Sequence, residues 1–77
     1  MVYLRDEEGI KLVGEKIKAF RIKQNVSQSQ LAFEANIPTN QLGRIERGEI
    51  NSGISTILAI AKALNVLPKE LFDFENK

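Results

Sequence analysis

Apolar residues recur along this chain at spacings of three and four, the period of a helix that buries one side. Ile10, Val13, Ile17 and Phe20 form the first such stripe. It follows Asp6, Glu7 and Glu8, acids placed where the free N–H groups and dipole of a helix start favour negative charge, and it predicts a helix ending near Gln24. Ser27 opens a second helix, because its hydroxyl can accept from a free backbone N–H while Gln30 reaches back in a capping box. That helix spans Gln28 to Ala35 and buries Leu31, Ala32 and Ala35. Asn36 tolerates the left-handed conformation that stops a helix, and Pro38 suits the first turn of the next. A third helix should therefore run from about Pro38 to Arg47 and stop at Gly48. Ile54, Ile57, Leu58, Ala61 and Leu64 predict a fourth, closed by Asn65, and Pro68 to Phe72 a short fifth. No strand alternation competes, so the expected fold class is all-α, a five-helix bundle with a central helix-turn-helix.

A chain of 77 residues makes one domain, residues 1–77, with a core over about 10–72. With no Cys and no His, neither disulfides nor the usual zinc ligands are available, so helix packing alone must hold the fold and no metal or cofactor is expected. The same absence, with no Ser in a recognisable nucleophile setting, argues against an enzyme. The longest apolar run, Ile57 to Ala61, is too short to span a bilayer, and no charged-then-apolar leader opens the chain. A cytoplasmic protein without a membrane partner is the expectation. Net charge is only +1, but residues 10–51 hold seven basic side chains against four acidic ones. A solvated basic face explains this excess as well as a phosphate-binding one does.

The third helix shifts that balance. Advancing ~100° per residue places Leu42 and Ile45 together on a buried side. Asn40, Gly43, Arg44 and Arg47 fall opposite, with Thr39 at the edge. An amide can pair bidentately with adenine, a guanidinium with guanine, and a hydroxyl and methyl suit thymine. Gly43, lacking a side chain, would let the helix backbone approach a groove.

The run Val26-Ser27-Gln28-Ser29-Gln30-Leu31-Ala32, then Ile37, Arg44-Ile45-Glu46-Arg47-Gly48 and Ile60-Ala61-Lys62-Ala63-Leu64-Asn65-Val66, resembles the Cro and lambda-repressor type of helix-turn-helix domain, the xenobiotic-response-element family. The likeness extends back through Gly14-Glu15-Lys16-Ile17 and forward to Glu70-Leu71-Phe72. It implies a repressor-like transcriptional regulator that reads double-stranded DNA in the major groove. It further implies that Thr39, Asn40 and Arg44 contact bases, a set that Gly43 joins by its place on the helix wheel, that Gln28, Arg47, Asn51 and Ser52 contact phosphates, and that Arg21 and Glu46 form a structural ion pair. Departures from the family pattern are Pro38 and Gly53 at helix starts that usually carry a hydroxyl, Ser52 for a frequent proline, Leu67 without a capping group, and apolar Ile22.

One short helix reads few base pairs, so a homodimer on a palindromic operator is expected, with its two reading helices ~34–36 Å apart. Ile50, Leu67, Leu71, Phe72 and Phe74 are the candidate dimer contacts, Leu71 and Phe72 being equally suited to the monomer core. Ile50 and Phe74 look harder to bury in one chain. No ligand-sensing domain is present, so no small-molecule ligand is expected. The alternative is an antitoxin or other interaction module built on the same domain.

Overall fold

A computed structural model describes residues 5–74. α1 spans Glu7–Lys23, α2 Gln28–Ala35, α3 Thr39–Glu46 and α4 Ile54–Leu64, followed by a 3-10 helix at Pro68–Phe72. No strand occurs among the described residues. The expected count of five α-helices is thus corrected to four, the fifth segment being a single tight turn. Its bonding shows why: Glu70 N–H reaches the Leu67 carbonyl three residues back at 2.9 Å. Leu67 has no hydroxyl to cap a longer helix, and among the described residues its side-chain support is the Glu70 carboxylate, which accepts from Leu67 N–H at 2.8 Å.

Asp6 caps α1 by accepting from Gly9 N–H, and the Ser27 hydroxyl caps α2 by accepting from Gln30 N–H. Every α-helix ends in the same way, with the residue after the last turn in the left-handed region: Asn25, Asn36, Gly48 and Asn65. In each case the following N–H bonds back five residues: Val26 to Arg21, Ile37 to Ala32, Glu49 to Arg44 and Val66 to Ala61, at 2.9–3.1 Å. These bonds satisfy carbonyls that a helix end would leave open. Val26, Ile37 and Val66 then fold onto the core. Glu49 does not.

The core is built from Ile17 of α1, Leu31 of α2, Leu42 of α3, Ile60 and Leu64 of α4, and Leu71 of the 3-10 helix, all fully buried. α2 packs on α4, and α1 on α3. Gln24 ties the end of α1 to the end of α4, donating from Nε2 to the Leu64 carbonyl at 2.8 Å. The buried stripe of α4 is Ile57, Ile60, Ala61 and Leu64, while Leu58 is 46% and Ile54 72% exposed. Leu58 lies ~100° round the helix from Ile57, beyond what its neighbours cover, and Ile54 sits in the first turn, at the open end of α4. Ile10 and Phe20 of the first stripe are half-buried.

α1 and the end of α3 meet backbone to backbone. A Cβ on Gly14 would collide with the carbonyl oxygen of Ile45 and come within 2.8 Å of that of Glu46. Gly48, at φ 74°, would place a Cβ 2.9 Å from Lys11 Cα. Asn serves the other three helix ends; here only glycine fits. The C-terminal end of α3 is therefore fixed against α1.

Candidate nucleic-acid interface

α2, the Asn36 to Pro38 turn and α3 form a helix-turn-helix whose second helix turns Leu42 and Ile45 inward. Thr39, Asn40, Arg44 and Arg47 are exposed on the same helix and its C-cap. The first turn of α3 has no side-chain cap, because Pro38 carries no acceptor. Its leading N–H groups stay open to solvent or to an anion.

Below this face lies a small polar cluster. Arg21 donates from Nε to Glu46 Oε2 at 2.7 Å and from Nη2 to Oε1 at 3.1 Å. Gln28 donates from Nε2 to Glu46 Oε1 at 2.9 Å, and Arg21 Nη1 reaches the Val26 carbonyl at 3.0 Å. The two charged side chains are only 12% and 2% exposed, so the pair joins α1 to α3 out of water, with Gln28 adding α2. Both carboxylate oxygens and the fork of the guanidinium are satisfied, which is what a buried charge requires.

Gly43, expected to face a groove, lies beneath two neighbouring side chains. It is buried, with Arg47 Nη1 at 3.2 Å and Gln28 Oε1 at 3.5 Å from where a Cβ would stand. Its missing side chain makes room for Gln28 to cross α3 toward Glu46. Angular position on a wheel could not reveal this, because the cover comes from the folded-back side chain of Arg47 and from Gln28 of another helix.

Arg44 and Arg47 converge on one acid. Arg47 donates from Nε to Glu49 Oε2 at 2.8 Å, and Arg44 Nε stands 3.7 Å from Glu49 Oε1. Hydrogen bonding to Arg47 holds the Glu49 carboxyl below the ordinary glutamate range, and the same bond pushes the Arg47 guanidinium up. Glu49 is not among the site residues expected from the sequence. Its position one residue past Gly48, where the other helix ends have an apolar residue, is the signal that was available.

In the loop before α4, Asn51 is exposed, but the Ser52 hydroxyl is buried without a partner. Ser52 therefore does not offer its side chain to a phosphate in this conformation. Of the candidate dimer contacts, Leu71 is fully buried and belongs to the monomer core. Ile50 and Phe74, expected to be hard to bury in one chain, are half-buried against that core. Leu67 and Phe72 remain 58% and 49% exposed. Phe72 and Ile54 border an open groove of about 300 Å³ floored by Ile10, Val13 and Ile57. Ile22 and Phe33 are also exposed, Phe33 at 82%. No helix among the described residues is long and apolar enough to cross a membrane.

A helix-turn-helix with an exposed Asn, Arg and Thr on its second helix defines the class of DNA-binding transcriptional regulators. Residues 17–71 match the helix-turn-helix family HTH_3, and the chain belongs to that family. It is 44% identical over 64 residues to the control protein C.BamHI of Bacillus amyloliquefaciens, a match covering 82% of this chain and 79% of that protein. Identity to the immunity repressor protein of Bacillus phage phi105 is 43% over 54 residues, covering 70% of this chain and 38% of the repressor. Among solved structures, the restriction-modification controller protein C.AhdI from Aeromonas hydrophila superposes with a TM-score of 0.80 at 33% identity, over 82% of this chain and 96% of that one.

Proposed function

We propose that this regulator acts in the cytoplasm as a homodimer on a palindromic operator, with α3 in the major groove, and that it controls a restriction-modification operon. The observation that carries the reading is the division of α3: Leu42 and Ile45 are buried while Thr39, Asn40 and Arg44 are exposed on one eight-residue helix. Asn40 and Arg44 have the donor and acceptor geometry to discriminate adenine and guanine edges. Thr39 joins them if the helix enters by its N-terminal end. Arg47 and Asn51 flank that face and suit phosphate contacts, which fix register without carrying sequence information. Gln28 supports α3 through Glu46, and its position at the start of α2 suits a phosphate contact as well.

Similarity to the two control proteins supports the choice of operon. The groove bordered by Ile54 and Phe72, with Ile50 and Phe74 in its lining, supports pairing with a second copy. Selection of bound sites from random DNA, at stated salt, tests the whole reading. Recovered sites should be inverted repeats with half-sites one helical turn apart. Recovery of asymmetric single sites by a monomer would overturn the dimer, and no enrichment at any salt would overturn DNA reading.

A further inference from the structure

The acid that spans the two arginines has no part in folding that the other helix ends would suggest. At three of the four ends the residue after the left-handed turn is Val or Ile and docks on the core. At the fourth it is Glu49, whose side chain is 48% exposed. Its backbone is held on both sides: its N–H donates to the Arg44 carbonyl at 2.9 Å, and its carbonyl accepts from Arg5 Nη2 at 3.2 Å. A fixed backbone thus carries an anion to the edge of the face that would meet DNA, and that anion bonds Arg47 and approaches Arg44.

We infer that Glu49 is an intramolecular stand-in for phosphate, a restraint that lowers the affinity of this protein for DNA of any sequence. The inference rests on the proposed DNA reading. For Arg47 to reach a phosphate it must leave a carboxylate 2.8 Å away. That carboxylate then remains unneutralised beside the DNA backbone, where like charges repel. Both effects oppose binding, and both act without reference to base sequence. The free protein accordingly presents less positive charge than its arginines suggest, which keeps it from being held on non-cognate DNA.

The test uses the full chain and a random-sequence duplex, over a series of salt concentrations. Glu49→Gln keeps size and backbone contacts and removes the charge. It should bind the random duplex about 3- to 10-fold more tightly at low salt, the range expected for an exposed pair plus one screened repulsion, with the gain shrinking as salt rises. Glu49→Lys should bind more tightly still. In an Arg47→Ala background, Glu49→Gln should give a smaller gain, because the pair is already absent. Equal binding by wild type and both Glu49 variants would overturn the restraint while leaving DNA binding intact. Full gain in the Arg47→Ala background would overturn its action through Arg47. No binding of any duplex by wild type at low salt would instead overturn the DNA reading on which it rests.

Discussion

Replacing Arg21 with Met should unfold this protein more readily than any surface change on α3. Arg21→Met keeps most of the side-chain volume and deletes the charge. Glu46, with its side chain 2% exposed, would then keep a buried carboxylate supported by Gln28 alone. Stranding a buried charge in this way costs about 3–5 kcal/mol. For a chain this short each kcal/mol lowers Tm by roughly 6 °C, so the expected fall is roughly 18–30 °C. Changing Glu46 to Leu as well removes the stranded charge. The double variant should therefore recover much of the loss, with a coupling energy of about 2 kcal/mol or more. Thermal and urea unfolding followed by far-UV circular dichroism measures all four corners of the cycle. If Arg21→Met costs less than about 1 kcal/mol, or coupling is below about 0.5 kcal/mol, the cluster does not join α1 to α3 energetically and the reasoning fails.

Gly14→Ala should destabilise strongly, by about 2 kcal/mol or more, because two backbone carbonyls stand where its methyl would go; an unchanged urea midpoint would show that α1 can shift away. Gly53→Ser places a hydroxyl at the uncapped start of α4, where nothing lies within 4 Å, and should raise stability by a few tenths of a kcal/mol. Arg44→Ala should cost about 1–3 kcal/mol on the selected operator and little on random DNA, whereas Arg47→Ala should weaken both alike and lower the salt slope by about 1; direct titration of both duplexes distinguishes them. By carboxyl-resolved NMR, Glu49 should titrate below the ordinary glutamate value of 4.5 and move back toward it in Arg47→Ala. Since the folded value is depressed, the pair's contribution is present above the unfolded value and is lost as pH falls through the folded one.

Where local chemistry decides an element, the sequence was sufficient to place it. α2 has the predicted bounds because Ser27 and Asn36 act within a few bonds of the helix ends they set. The left-handed conformations of Asn36 and Asn65 follow from the same chemistry, as does that of Asn25, which no following proline marks in the sequence. What required a neighbour could not be read from spacing. Leu58 stands at helical spacing from Ile54 and Ala61, suited to burial, yet no element covers its side of α4. Gly43 has the angular position of a reading residue, yet the side chains of Arg47 and of Gln28 from another helix stand over it. Leu71 and Phe72 are adjacent and both apolar; the 3-10 turn directs one inward and leaves the other out. The meeting of Arg44, Arg47 and Glu49 depended on a glycine turn that returns the chain over the end of α3.

Among the described residues, no hydrogen bond or ion pair uses the side chain of Thr39 or Asn40, and Arg44 has only the long approach to Glu49. Nothing in the scaffold depends on what occupies these three positions, since the grip on α3 is at its far end and underneath. Substitutions there should leave folding nearly untouched, so under the proposed DNA reading a change of recognition sequence need not wait for compensating changes in the core. If α3 reads DNA as proposed, a lineage carrying this domain is free to drift in specificity at the rate its binding sites change, and an engineer can randomise residues 39, 40 and 44 together without first stabilising the parent.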